Sequence, residues 1–322
     1  MSLPFMTAKL LPLSAALILI SGAGKARAEC PFTLDTSPEQ GSAVFGALRD
    51  GYNLELDGKS VPVNDDGRFI VAFHRDYGKK ATFTVFDVNH GKKSTCHVKV
   101  KKHKWHIEHV NGVDSAKVTP PESVMQRIAA ESRVIREARK NLTSEHFPYR
   151  FIAPVEGRIS GVFGSQRIFN GQKRSPHSGH DIASPNGTPV KAAESGTVVV
   201  AYPDMYYNGN VVIIDHGYLV NTTYAHLSAF NVKVGDRVNK GDIIGYVGST
   251  GRSTGNHLHL TLNVFGVNVR PDSIIPVGSV MQDKEEYEKQ KRLNPEIPAE
   301  THPDSLFKGF PKKKKDTLHG KQ

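Results

Sequence analysis

Between Phe151 and Ile275 the chain holds no long helical pattern, only short strand-like runs broken every few residues by glycine, asparagine or aspartate. "GTVVVA", "NVVIIDHG" and "VNTTYAHLS" read as strands, and "VKVGDRVNKGDIIGYVGSTG" sets Gly-Asp and Lys-Gly turns between shorter ones. Runs of this length bounded by turn residues predict antiparallel sheet. From Phe32 to Val110 the texture is similar. Asp57-Gly58 and Asp66-Gly67 mark turns, and in "CHVKVK" Cys96, Val98 and Val100 alternate with His97, Lys99 and Lys101, one buried face against one wet face. The fold class expected is mainly β: a small N-terminal sandwich-like module, a connecting helix, and a C-terminal antiparallel module with a groove. The helix is signalled by Thr119-Pro120-Pro121-Glu122, a capping box with proline at the first helical position. It should run to about Asn141 and carry Val124, Ile128, Ile135 and Leu142 on one stripe between the modules.

With 322 residues the chain is long for one domain. Its opening is a separate matter. Lys9 precedes an apolar run from Leu10 to Ile20, and Ala26-Arg27-Ala28 is an A-x-A cleavage pattern, so residues 1–28 read as a signal peptide. The run is short for a membrane span, and no other apolar run is longer. Glu29 precedes Cys30 where a lipid-anchor signal wants a small residue. The expected parts are then 29–112 for the β module, 113–146 for the helical connector, 147–277 for the second β module, and 278–322 for a charged, disordered tail. Export to the periplasm, or secretion, makes the two cysteines, Cys30 and Cys96, the expected disulfide.

The formal net charge is +10 and falls to roughly +7 once the leader is removed. Nucleic-acid motifs with interleaved aromatics are missing from the sequence, so an anionic envelope is the expected neighbour. Lys312–Lys315 in the tail is a candidate contact for that surface.

Chemistry concentrates in two stretches. "PHSGHDIASPNGTPV" places His177 and Asp181 four apart, and "STGNHLHL" places His257 and His259 two apart, on one face of an extended chain. His177, Asp181 and one histidine of the later pair form a His₂Asp set. Two neutral imidazoles and a carboxylate suit Zn²⁺ and leave the fourth tetrahedral position open, as a hydrolytic site requires. The remaining histidine is a candidate base. His226, in "TTYAHLS", is a candidate oxyanion donor on a strand with Tyr224 on the same face. Asn210 and Tyr224 are candidate groove residues. His180 reads as peripheral, and His216 as the anchor of a turn.

"HSGHDIASPNGTPV", "YAHLS" and "VKVGDRVNKGDIIGYVGSTGRSTGNHLHL" resemble, in order, the lysostaphin/LytM-type zinc endopeptidases that cut peptidoglycan peptides. The resemblance spans about Ile152 to Ile275. It implies a LytM-type catalytic module with one Zn²⁺ on His177, Asp181 and His259, and catalytic roles for His226 and His257. It also implies peptidoglycan cross-links or stem peptides as substrate. Two positions depart from the family pattern: Asn256 stands where proline is usual, and Leu260-Thr261 stands where an aromatic and glutamate often follow. The rival readings are a non-catalytic activator of a wall amidase, which need not hold stoichiometric metal, and a protease acting on foreign wall or extracellular protein.

Overall fold

Alternating burial sets the architecture of the N-terminal part. In this computed structural model, which describes residues 30–110, 121–140, 143–144, 146–169 and 171–277, seven strands form two antiparallel sheets there. They are β1 (Phe32–Leu34), β2 (Ala43–Leu48), β3 (Tyr52–Leu56), β4 (Lys59–Ser60), β5 (Arg68–Ala72), β6 (Lys80–Asp87) and β7 (Lys93–Lys99). One sheet is ordered β1-β2-β5 and the other β4-β3-β6-β7. The Phe32 ring bridges them, 6.3 Å from Phe69 of β5 and 4.7 Å from Phe83 of β6. Leu54, Phe69, Val71, Phe83 and Val85 are buried around it. The β3–β4 connection is the expected Asp57-Gly58 turn, with φ of 49° and 77°. Two left-handed residues match the twist of the flanking strands. Cys30 and Cys96 are disulfide-bonded.

β8 (Ile107–Val110) leaves this module and pairs in parallel with β10 (Gln166–Phe169). The remaining elements are β9 (Arg158–Gly161), β11 (Gln172–Lys173), β12 (His180–Ala183), β13 (Pro189–Lys191), β14 (Gly196–Met205), β15 (Gly209–Asp215) and β16 (Val220–Leu227). They continue with β17 (Ala229–Phe230), β18 (Arg237–Val238), β19 (Ile243–Tyr246), β20 (His257–Val264), β21 (Val267–Val269) and a 3₁₀ turn at Pro271–Ser273. The large sheet is ordered β18-β14-β15-β16-β20-β12-β9, with β21 on β20. A small sheet, β13-β19-β17, closes over one face. Ile214, Tyr224, Leu258, Leu260 and Leu262 from the large sheet meet Val190 and Ile244 from the small one in a solvent-free core. Along β20 the alternate residues His257, His259, Thr261 and Asn263 therefore point to the opposite face. Ala43 and Ile70 join that core from the N-terminal module.

The helix α1 (Glu122–Ala138) differs from expectation at its start and in its packing. Pro121 occupies the N-cap with ψ 145° and makes no side-chain cap bond. Thr119 and Pro120, like the leader, Leu142 and the tail, lie outside the described residues. Val124, Ile128 and Ile135 do share the inward stripe, joined by buried Glu131. Ile135 and Ala138 pack on Val200, Met205, Val211, Ile213 and Ala225. The helix thus covers the large sheet rather than filling a space between modules.

Candidate metal centre

Strand pairing assembles the centre. Antiparallel register puts Asp181 of β12 opposite His259 of β20, and Ala225 of β16 flanks His259 on the other side. His177 is delivered by the loop before β12. Its Nδ1–H donates to the Val162 carbonyl at 3.1 Å, leaving Nε2 inward. His259 is held the other way round: Nε2–H donates to Thr261 Oγ1 at 3.0 Å, leaving Nδ1 inward. The three inner atoms form a small triangle. His177 Nε2 lies 3.1 Å from His259 Nδ1 and 3.1 Å from Asp181 Oδ1, and the last two are 2.8 Å apart.

With both outer N–H groups engaged, three lone-pair atoms converge, and a cation reconciles them. Ligands about 2.0–2.1 Å from a tetrahedral zinc stand about 3.3 Å from one another, close to the observed triangle. Among the described residues this His177, Asp181, His259 group has its donor atoms within 4.8 Å of one another. Two imidazoles and one carboxylate fit Zn²⁺, and glycines make the room. A Cβ on Gly161 would overlap Asp181 Oδ2, and one on Gly179 would overlap the Leu260 carbonyl and stand 2.9 Å from Thr261 Oγ1.

His257 and His226 sit beside the triangle without joining it. His257 Nδ1–H donates to Gly255 O at 2.8 Å, and its Nε2 is 3.6 Å from Asp181 Oδ1. The His226 ring is 4.7 Å from that of His257 and 5.9 Å from that of His259. Its position depends on an irregular backbone. Regular alternation would send Tyr224 and His226 to one face, but His226 has φ 64° and the β15–β16 register shifts between Asn210 and Val212. The left-handed residue turns the imidazole out of the core and onto the face of Ala225 and His259.

Tyr224 accordingly is not a groove residue. It is fully buried, its oxygen accepts from Ala193 N–H at 2.8 Å, and Thr222 Oγ1 lies 2.9 Å away. Asn210 is a brace: its amide donates to Leu227 O and accepts from Asp204 N–H.

Burial and charge tune these groups unequally. Burial raises the Asp181 carboxyl, but the inner nitrogens of His177 and His259, when they carry protons, donate to it and outweigh burial, holding it well below the usual carboxylate range. Burial lowers His259, against the pull of Asp181. His226 is pushed down to about 4, mainly by burial, against its bond to the Thr250 carbonyl at 2.8 Å. A neutral His226 with Nδ1–H so engaged presents Nε2 as an acceptor. Donation to an oxyanion, the role expected from sequence, first requires it to gain a proton.

His216 is buried as expected of a turn anchor, between Ser195 O at 2.8 Å and Thr222 Oγ1 at 2.7 Å. His180 is more than peripheral. Its Nδ1 accepts from Phe163 N–H, so Nε2–H donates to Asp272 at 2.9 Å. Arg270 continues the connection to Glu39 and His103 of the N-terminal module. The sequence signals neither this link nor the contacts of Thr261 and Gly161.

An open His₂Asp centre on an antiparallel sheet, flanked by two imidazoles, is a donor set of the kind that suits a hydrolytic zinc site. The chain matches the model of Peptidase family M23 over residues 175–271. It is 42% identical over 140 residues to peptidoglycan DD-endopeptidase ShyA of Vibrio cholerae, covering 42% of this chain and 32% of that protein. It is 45% identical over 140 residues to DD-carboxypeptidase/endopeptidase Mpg of Neisseria meningitidis, covering 43% and 32%. The matched segments thus span about a third of the length of these relatives. A putative peptidase M23 structure from Pseudomonas aeruginosa superposes with TM-score 0.58 at 25% identity, over 74% of this chain and 95% of that one.

Proposed function

We propose that this protein is a zinc endopeptidase that hydrolyses peptide cross-links of peptidoglycan outside the cytoplasm. The observation that carries the reading is the triangle of His177 Nε2, Asp181 Oδ1 and His259 Nδ1, with two further imidazoles alongside. A zinc ion held by these residues would supply Lewis acidity to polarise a scissile carbonyl and acidify a water. His257 Nε2 takes the proton of the attacking water, since its Nδ1–H is anchored on Gly255. His226 holds the developing oxyanion once protonated, or shares the base role while neutral. Tyr207, with the Arg252 guanidinium 4.2 Å over its ring, forms part of the groove wall.

Names of the relatives support the substrate. ShyA is a peptidoglycan DD-endopeptidase and Mpg a DD-carboxypeptidase/endopeptidase, so the D,D cross-link is the bond proposed here. The Cys30–Cys96 disulfide and the leader-like residues 1–28 support export, since structural disulfides persist in oxidising compartments. We read 147–277 as the catalytic part and 29–112 as an accessory module. Digestion of purified sacculi, followed by mass spectrometry of the released muropeptides, tests the proposal. Cross-linked dimers should fall as monomers rise, and stoichiometric zinc with intact dimers would refute it.

A further inference from the structure

The β6–β7 hairpin carries a concentration of charge that the catalytic centre does not use. Between residues 79 and 104 the sequence holds eight lysines and one carboxylate, Asp87. All eight lysines are exposed. Six of them, Lys79, Lys80, Lys99, Lys101, Lys102 and Lys104, gather at one end of the hairpin, where Val100 N–H bonds Lys79 O. Asp87 lies at the other end, bound by His90 at 2.9 Å. Lys80 and Lys99 are direct cross-strand partners, with their side chains on the same face. Like charges placed opposite one another destabilise a sheet. The nearby Glu39 carboxylate gives no relief, being occupied by Arg270 at 3.2 Å.

The strip runs toward the catalytic centre. After Lys104 the chain places Trp105 on Phe163, 5.7 Å between rings, and His106 O accepts from Gln166 N–H. The intervening Gly164 donates its N–H to the carbonyl of His177, and Val162 O holds the His177 ring. The basic end of the hairpin is therefore continuous with the loop that supports a metal ligand.

We propose that this lysine face is a docking surface for the carboxylate-bearing stem peptides of peptidoglycan, gathering the polymer beside the centre. The inference rests on the function proposed above for the substrate, but it concerns binding and not hydrolysis. A polyanion resolves the Lys80–Lys99 repulsion, and a field of several lysines raises the local concentration of a negatively charged polymer. Screening within a Debye length of about 8 Å at physiological salt makes the contact salt-sensitive.

Lys99→Glu tests it, because this change turns a repulsive cross-strand pair into an attractive one. The full chain in a His257→Ala background, which spares the sacculi, is sedimented with purified sacculi at low and high salt. Lys99→Glu should raise the melting temperature yet weaken sacculus binding about tenfold at low salt. Lys59→Glu/Lys191→Glu, at exposed lysines elsewhere, should bind like the parent. Unchanged binding by Lys99→Glu, equal loss in the control, or binding to anionic phospholipid vesicles in preference to sacculi would each overturn the proposal. Because binding is read without turnover, failure of the peptidase reading would show separately, as undigested sacculi with a chain carrying His257.

Discussion

His259 and Thr261 face the same way on β20, and His259 Nε2 donates to Thr261 Oγ1 at 3.0 Å. That bond fixes the tautomer that leaves Nδ1 for the metal. A neutral hydroxyl stands where the family pattern often has glutamate, so His259 is oriented without being made more anionic. Thr261→Val keeps the β-branched shape and removes the acceptor. Its zinc affinity should fall by about 10- to 100-fold, with turnover near the parental level when zinc is saturating. Thr261→Ser should restore affinity. Competition with a chromogenic chelator reads the affinity directly, and parental affinity in Thr261→Val would remove this role.

The remaining histidines separate metal binding from proton transfer. His259→Ala loses an inner atom of the triangle, so zinc and hydrolysis should both disappear. His257→Ala leaves all three ligands and should retain one zinc per chain, while hydrolysis drops by roughly two to four orders of magnitude. His226→Ala should also keep zinc and lose about a hundred-fold or more. Metal analysis with sacculus digestion on the three proteins decides between these roles. Zinc loss in His257→Ala with retention in His259→Ala would reverse the assignments within the pair.

Much of this centre is legible in the sequence because it sits on regular strands. Period-two alternation places His257 and His259 together, and the same alternation buries Leu258 and Leu260. Reading fails where the backbone departs from that period. The left-handed φ of His226 sends it away from Tyr224, and no residue type at 226 announces it. Tertiary pairings are also silent in one dimension: His180 reaches Asp272 across 92 positions, and Gly161 makes room for a carboxylate 20 residues later. The N-terminal sandwich was expected from its Asp-Gly turns, whereas the seating of α1 on Val200, Met205 and Ile213 depends on which sheet face lies open.

His216 provides a pH-dependence distant from the metal. Burial lowers its pKa from 6.5 to about 4, despite the bond to Ser195 O. Above pH 6.5 neither the folded nor the unfolded form carries the extra proton, so there is no penalty. Between 6.5 and 4 the unfolded chain binds a proton that the native one refuses, and stability falls as pH falls. The loss by pH 4.5 should be about 2–3 kcal/mol. Urea unfolding of the parent and of His216→Gln at pH 7 and 4.5 measures it. The parent should lose more than the variant by about that amount, and parallel losses would show that His216 is not the group responsible.

Gly161 tests the packing that shapes the triangle. It lies opposite Asp181 in the β9–β12 pairing, where a Cβ would overlap Oδ2 and come within 2.9 Å of Cγ. The cost comes from position, since Asp181 Oδ1 must stay 2.8 Å from His259 Nδ1 and 3.1 Å from His177 Nε2. β9 is the last strand of the large sheet, so it can shift without unfolding the core. Gly161→Ala should therefore remain folded, with a melting temperature within a few degrees of the parent, corresponding to about 1 kcal/mol. Its zinc affinity should fall at least tenfold, as expected when a ligating carboxylate is displaced. Gly78→Ala, at an exposed glycine with ordinary backbone and no atom near its would-be Cβ, serves as the control and should leave zinc binding unchanged. Parental zinc affinity in Gly161→Ala would mean that the Asp181 carboxylate tolerates displacement, and that the triangle is set by the two histidines alone.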